Sequence, residues 1–275
     1  MNQSVPTMTR VLSNCLPIAI FLVGSTLGAE PQPLAHAHND YEHSRPLLDA
    51  LSHGFCSVEA DVYEVDGALL VAHDREKVEP ARTLQKLYLE PLRERVEANR
   101  GAVYKNGPRF TLLIDFKSEG KRTYEVLQKV LVDYREMLVR DVDGQRKPGA
   151  VSIVISGNRP FKMIEEDQER LVGIDGRLSD LSSKRSAELM PLISDNWRNH
   201  FRWRGIGEFP EQERTKLRGI VRQAHAAGRR VRFWATPESE DVWRELAAAG
   251  VDHLNTDQLG KLEAFLKKEI EPRRS

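Results

Sequence analysis

The chain has 275 residues, with 41 Lys plus Arg against 41 Asp plus Glu, so its formal net charge is zero. That balance gives no electrostatic reason to expect nucleic acid as a partner, and evenly mixed charge with 40% hydrophobic residues excludes a disordered chain. The N-terminal stretch 1–29 stands apart, because its single charged side chain is Arg10. An apolar run follows from Val11 to Val23, then the small residues Gly24-Ser25-Thr26-Leu27-Gly28-Ala29, then Glu30-Pro31-Gln32-Pro33. This is the order of a signal peptide, and the run is shorter than the roughly 20 residues a spanning helix needs. Residues 1–29 are therefore expected to be a leader. Residues 30–275 are expected to be one secreted, periplasmic or envelope-located domain without a transmembrane span. Cys56 is then the one remaining cysteine, which excludes an intrachain disulfide; between Phe55 and Val58 it reads as a small buried apolar residue.

Strand-like and helix-like patterns then alternate to the end of the chain. Leu34–His38 reads as a strand, and Arg45–His53, stopped by Gly54, as a helix. Ser57–Tyr63 and Ala68–Ala72 flank the turn dipeptide Asp66-Gly67. Leu84–Asn99 is helical, Phe110–Phe116 strongly β, and Tyr124–Leu138 helical by its apolar spacing. Val151–Ile155, Leu171–Ile174 and Leu192–Ser194 follow as strands. The helix Glu211–Ala227, strand Arg230–Ala235, helix Glu240–Ala249, strand Val251–Asn255 and helix Leu259–Ile270 complete the pattern. Counting the two runs around Asp66-Gly67 as one unit leaves eight β positions separated by helices. That implies a parallel sheet, and in a mature chain of about 250 residues a closed (β/α)₈ TIM barrel. An open doubly wound sheet would carry a glycine-rich turn after its first strand; here that strand ends in His38-Asn39-Asp40-Tyr41.

Function in such a barrel sits at the C-terminal strand ends, where polar residues gather: His38 and Asn39, Glu59 and Asp61, His73-Asp74, Asp115-Phe116-Lys117. Strand residues two apart share a face. Glu59 therefore projects with Asp61, and Asp115 with Lys117, while Val58, Ala60 and Val62 face away. Paired carboxylates pointing into a barrel are costly without a compensating cation. Glu59, Asp61, Asp115 and the Asn39 amide form a hard-oxygen set suited to one Ca²⁺ or Mg²⁺ ion; a structural network with Lys117 and nearby arginines is the competing explanation. Lys117, Arg159 and Trp234, with Arg177 beside them, stand where substrate-binding groups would lie. His36 shares a face with His38 one layer deeper.

Together His38-Asn39-Asp40-Tyr41, Glu59-Ala60-Asp61 and His73-Asp74 resemble the phosphatidylinositol-specific phospholipase C and glycerophosphodiester phosphodiesterase superfamily. Phe233-Trp234-Ala235-Thr236 and the run Gly250 to Asp257 extend the likeness over residues 34–260, nearest to the branch named for altered inheritance of mitochondria. The resemblance implies His38 and His73 as an acid–base pair and Asn39, Glu59, Asp61 and Asp115 as metal ligands. It implies a small phosphodiester or phospholipid headgroup as substrate. Two features depart from it: His-Asn-Asp replaces His-Arg-Gly at the first strand, and Asp115 replaces the usual Glu. Two other readings follow from the same residues. One is a barrel metal-hydrolase of amides or phosphomonoesters using His36-x-His38. The other is a non-catalytic envelope binding protein.

Protein exported by its native host is expected to have an intact mass that begins near Glu30. A soluble species retaining Met1 would exclude cleavage of the leader.

Overall fold

Strands of this chain bury both faces, one against helices and one inside a barrel, and their alternation of side chains separates two different interiors. The computed structural model describes Met1 and residues 29–269. The expected leader, 1–29, lies outside the described residues except for its end positions. In chain order come β1 (Gln32–Ala37), α1 (Leu48–Ser52), β2 (Phe55–Val65), β3 (Ala68–Val71), α2 (Glu90–Ala98), β4 (Phe110–Phe116) and α3 (Gly120–Val132). Next are β5 (Arg140–Val142), β6 (Gln145–Lys147), β7 (Val151–Gly157), α4 (Phe161–Glu165), β8 (Glu169–Arg170), β9 (Val172–Gly176) and β10 (Leu192–Asn196). Finally come α5 (Trp197–His200), α6 (Glu211–Ala226), β11 (Arg230–Trp234), α7 (Glu240–Ala249), β12 (Leu254–Thr256) and α8 (Leu259–Glu269).

Eight strands, β1, β2, β4, β7, β9, β10, β11 and β12, lie side by side in that order, every pairing parallel. β12 returns to pair with β1, and a single parallel bridge, Arg232 to His253, links β11 to β12. The result is the expected (β/α)₈ barrel, closed most loosely at β11–β12. It departs from eight regular repeats at three places. The connection from β9 to β10 carries only a 3₁₀ turn, Leu178–Asp180. The expected helix Tyr124–Leu138 starts earlier and breaks at Val132, with a 3₁₀ turn at Arg135–Met137. A small antiparallel sheet of β5, β6 and β8 sits outside the barrel.

Two of the three Asp-Gly dipeptides make hairpins. Asp66 and Gly67 have φ of 50° and 83°, and Asp143 and Gly144 have 50° and 76°, the positive pair a tight two-residue hairpin requires. The first hairpin folds β3 back antiparallel on β2, with Val62 opposite Val71.

The large apolar core lies between sheet and helices. It contains Val58, Ala60 and Val62 of β2, Leu112, Ile114 and Phe116 of β4, and helix residues such as Leu127, Leu217, Trp243 and Phe265. Inside the barrel the apolar share is small: Leu113, Val154 and Leu192 form a separate cluster. The remaining buried interior includes His36, Ser57, Glu59, Asp175, Ser194, Arg232 and Asn255.

The first helix is shorter than the sequence suggests because Leu47 stands at φ 62°, ψ −49°, backbone that an L side chain adopts at a cost. Asp40, fully buried, accepts a 2.5 Å hydrogen bond from the Leu47 amide and pins that conformation. Burial pushes the Asp40 carboxyl up to about 7. Between its unfolded value near 4 and 7, the folded chain holds a proton that the unfolded chain releases. Stability is therefore expected to fall as pH rises through that window, by roughly 2–4 kcal/mol. Asp40→Asn keeps an oxygen acceptor for Leu47, so urea titrations at pH 4.5 and 7.5 should show that difference shrink. An unchanged pH slope would locate its origin elsewhere.

Candidate functional site

The strand order delivers the polar strand ends to one mouth. A cavity of about 280 Å³ there is lined by residues that include His38, Asn39, Glu59, Asp61, His73, Asp115, Lys117, Arg177 and Trp234. Glu59 and Asp61 reach it from β2, and Asp115 arrives from β4, where it lies in register with Asp61. His73 comes from outside the barrel: the β2–β3 hairpin returns the chain, the Ala72 amide bonds the Asp61 carbonyl at 3.2 Å, and the next residue is His73.

The acids come together as the spacing implies. One oxygen from each of Glu59, Asp61 and Asp115 lies within 4.8 Å of the others. Cations already sit among them. Arg232 of β11 donates a short hydrogen bond to Glu59 Oε2 and binds Asn255 Oδ1 at 2.8 Å. Lys117 Nζ lies 2.8 Å from Asp115 Oδ2 and 3.0 Å from Asp61 Oδ2. Burial works against ionised Glu59, but Arg232 and the His36 hydrogen bond more than offset it and hold the carboxyl well below its usual range. Asp61 is moved the other way, up to about 6, by burial first and then by the charge of Glu59. Burial disfavours the Lys117 cation, yet Asp115 and Asp61 outweigh it and keep the lysine protonated.

These pairings leave two atoms over. Among the described residues Asp61 Oδ1 and Asp115 Oδ1 are buried with no hydrogen-bond partner, a costly state for a carboxylate oxygen. Gly157, at φ 67°, makes room for the second: a Cβ there would lie 1.9 Å from Asp115 Oδ1. Two unsatisfied hard oxygens on acids that line one polar cavity fit a divalent cation, so the triad could hold one. Asn39 lines the same cavity at φ 47°, and its Oδ1 lies 2.7 Å from the Tyr41 hydroxyl oxygen.

Both histidines are held by one nitrogen. His38 Nδ1 lies 2.8 Å from Asp257 Oδ1, and His73 Nδ1 lies 3.1 Å from Asp61 Oδ2 and 3.0 Å from the Tyr41 oxygen. A carboxylate on Nδ1 selects the Nδ1–H tautomer and leaves Nε2 to do chemistry. Among the described residues neither Nε2 is hydrogen-bonded. Tyr41 ties this together. Its hydroxyl is 2.7 Å from both Asp61 Oδ2 and Asn39 Oδ1, and burial, then Asp61, raises its pKa far above the ordinary value, so it keeps its proton.

Of the expected substrate groups, Lys117 and Trp234 line the cavity. Arg159 does not: its guanidinium donates to the Asp175 carbonyl and lies over the Phe161 ring. Arg177 takes that place, stacked 4.8 Å from the Trp234 ring and held 2.8 Å from buried Asp175 Oδ2. His36 lies a layer deeper, as expected, with Nδ1 2.7 Å from Ser57 Oγ and Nε2 facing Glu59. Burial, then Arg232, lowers its pKa to about 3, so it is neutral. Both nitrogens are engaged inside the barrel, and His36 and His38 do not form a ligand pair. Asp257 and Arg232 escaped sequence reasoning although the two-residue strand period marks both: Asp257 follows Asn255, and Arg232 precedes Trp234. Tyr41 carries no periodic signal, because it lies in a 3₁₀ turn after a left-handed asparagine.

The fold is matched among known proteins. A glycerophosphodiester phosphodiesterase from Parabacteroides distasonis shares the fold, with a TM-score of 0.51 at 12% identity over 88% of this chain and 100% of that one. Residues 230–260 match the glycerophosphoryl diester phosphodiesterase family. The fold and these strand ends define a phosphodiesterase-type barrel of the glycerophosphodiesterase and phospholipase C superfamily. Residues 27–175 match the AIM6-like phosphodiesterase domain, and the chain belongs to that family. Altered inheritance of mitochondria protein 6 of Eremothecium gossypii is 34% identical over 84% of this chain and 68% of its own length. A homolog of that protein from Arthroderma benhamiae is 28% identical over 96% and 95%.

Arg232→Met should strand the Glu59 charge in the barrel and lower stability by about 3–5 kcal/mol. Adding Glu59→Leu should recover at least half of that loss. Urea unfolding of chelator-treated protein measures both, and an unaffected single variant would mean that the pair is not a central support.

Proposed function

We propose that the protein is a divalent-metal-assisted phosphoric diester hydrolase in which His38 and His73 divide the acid and base work. The observation that carries this reading is the pair of carboxylate-held histidines beside an acid triad with two unsatisfied oxygens, all lining one cavity. Glu59, Asp61 and Asp115 would hold Ca²⁺ or Mg²⁺, with Asn39 beside them; the bound ion supplies positive charge for the non-bridging oxygens of a phosphodiester. The charge balance supports it. Three carboxylates against Arg232 and Lys117 leave the cluster one negative charge in excess, unfavourable for an anionic substrate, and a divalent ion reverses that sign.

His38, oriented through Nδ1 by Asp257, would take the proton of the attacking hydroxyl on Nε2. That hydroxyl belongs to water or to the substrate itself. His73, oriented by Asp61 and Tyr41, would protonate the leaving alkoxide as an imidazolium. Lys117 and Arg177 offer N–H donors to the phosphate, and Trp234 walls the pocket for a small glycerol- or inositol-type headgroup. Secretion or an envelope location belongs to the same reading and rests on residues 1–29. The engagement of His36 inside the barrel counts against the His-x-His hydrolase reading.

Leaving-group chemistry tests the division of labour. His73→Ala should reduce cleavage of an alkyl diester such as a glycerophosphodiester by 10²–10⁴-fold. The same variant should spare much of the activity on bis-(p-nitrophenyl) phosphate, whose leaving group needs no proton. His38→Ala should damage both reactions alike, and chelator should suppress both in the unaltered protein. The opposite pattern exchanges the two roles. Near-normal rates in both variants, or no turnover of any diester with Ca²⁺ or Mg²⁺, would sink the two-histidine mechanism.

A further inference from the structure

β11 points three large side chains into the barrel, one per layer. Trp234 reaches the candidate site and Arg232 the central pair with Glu59. Arg230, at the start of the strand, opens onto a second cavity of about 450 Å³ at the N-terminal mouth, whose lining includes Arg109, Thr111, Arg146, Ser152 and Glu188. Nothing in the proposed hydrolysis uses this end of the barrel.

Charge there is out of balance. The Arg230 Nη1 donates to Thr111 Oγ1 and His253 Nε2, each at 3.0 Å. His253 is buried, and burial, then Arg230, takes its pKa well below the ordinary value, so it is a neutral acceptor and gives no counter-charge. The nearby carboxylate Asp252 is occupied at 2.8 Å by His225 and at 2.7 Å by the Val231 amide. Glu188, hydrogen-bonded by its own amide and by Ser186, is the one carboxylate of the lining, against the three guanidiniums of Arg109, Arg146 and Arg230. Arg109 donates to the Gly149 carbonyl, and among the described residues neither it nor Arg230 has an ion-pair partner. Arg146 is paired with Asp141 at 2.6 Å. A largely buried guanidinium without a counter-ion is unfavourable. Here Nε and Nη2 of Arg230 have no acceptor among the described residues, and Thr111 and Ser152 line the same recess.

We propose that the N-terminal mouth is an anion site that binds a phosphate group, free or as a small phosphomonoester, with Arg230 and Arg109 as its cationic contacts. A guanidinium with two open N–H directions matches two oxygens of a tetrahedral oxyanion. The exposed Arg109 at the rim adds the second charge that a dianion calls for.

The site is tested by calorimetric titration of chelator-treated full-length protein at low ionic strength, with inorganic phosphate and with glycerol phosphate in parallel. At least one should bind. Arg109→Ala, a change at an exposed residue that leaves the barrel intact, should weaken that binding at least 10-fold, and Arg230→Gln should do the same. Arg218→Ala, at an exposed residue outside both cavities, should leave it within about 2-fold. On the unaltered protein, phosphate should protect Arg230 from phenylglyoxal, read by peptide mass spectrometry, which needs no variant to fold. Retention of binding in both the Arg109 and the Arg230 variants would overturn the proposal. Equal modification of Arg230 with and without phosphate, or no binding of either anion, would overturn it as well.

Discussion

The salt bridge between Glu59 and Arg232 at the centre of the barrel is the contact on which the site depends. It joins β2 to β11 across the interior, with His36 and Asn255 completing the hydrogen bonds of its two ends. A barrel of this size must be filled by side chains, and here most of the filling is polar. Replacing it by apolar residues would cost the fold little and could even stabilise it, because desolvating two charges consumes much of their attraction. What the pair supplies is position. Arg232 neutralises the deepest acid, so Asp61 and Asp115 at the mouth stand over a compensated layer rather than over a third uncompensated charge.

Each layer above then follows from strand geometry. Asp61 and Asp115 are in register on neighbouring parallel strands, and Lys117, two residues beyond Asp115, reaches both. Oδ2 of Asp61 accepts from Tyr41, His73 and Lys117 while Oδ1 is left over. One carboxylate thus orients an imidazole through one oxygen and offers the other to the cavity. Tyr41 couples this acid to Asn39, so the turn after β1 and the hairpin after β2 are held to one another at the mouth.

The barrel's two mouths differ in the sign of their unpaired groups. Among the described residues the C-terminal mouth has carboxylate oxygens without donors, and the N-terminal mouth has a guanidinium without an ion-pair partner. Both arise from the same strand alternation that fills the interior with polar residues. A polar interior can be satisfied in its middle layer, where partners surround every group, but its end layers face solvent-filled cavities on one side.

Much of this was legible in the amino-acid order. Apolar periods and glycine stops locate all eight barrel strands. The two-residue strand period puts Glu59, Asp61, Asp115 and Lys117 on the inner face because backbone pleating alone dictates it. The short motifs around His38 and His73 point to phosphodiester chemistry. Tertiary structure decided what lies across the barrel, since strands β2 and β11 are more than 170 residues apart in the pair Glu59–Arg232 and no local pattern encodes that distance. It chose Arg177 over Arg159 at the cavity, for both follow a strand end and only packing against Trp234 and Asp175 separates them. It also set Tyr41 and Asp257 on the histidines. Their roles depend on a left-handed turn at Asn39 and on the closure of β12 against β1, which are properties of the closed barrel and not of either segment alone.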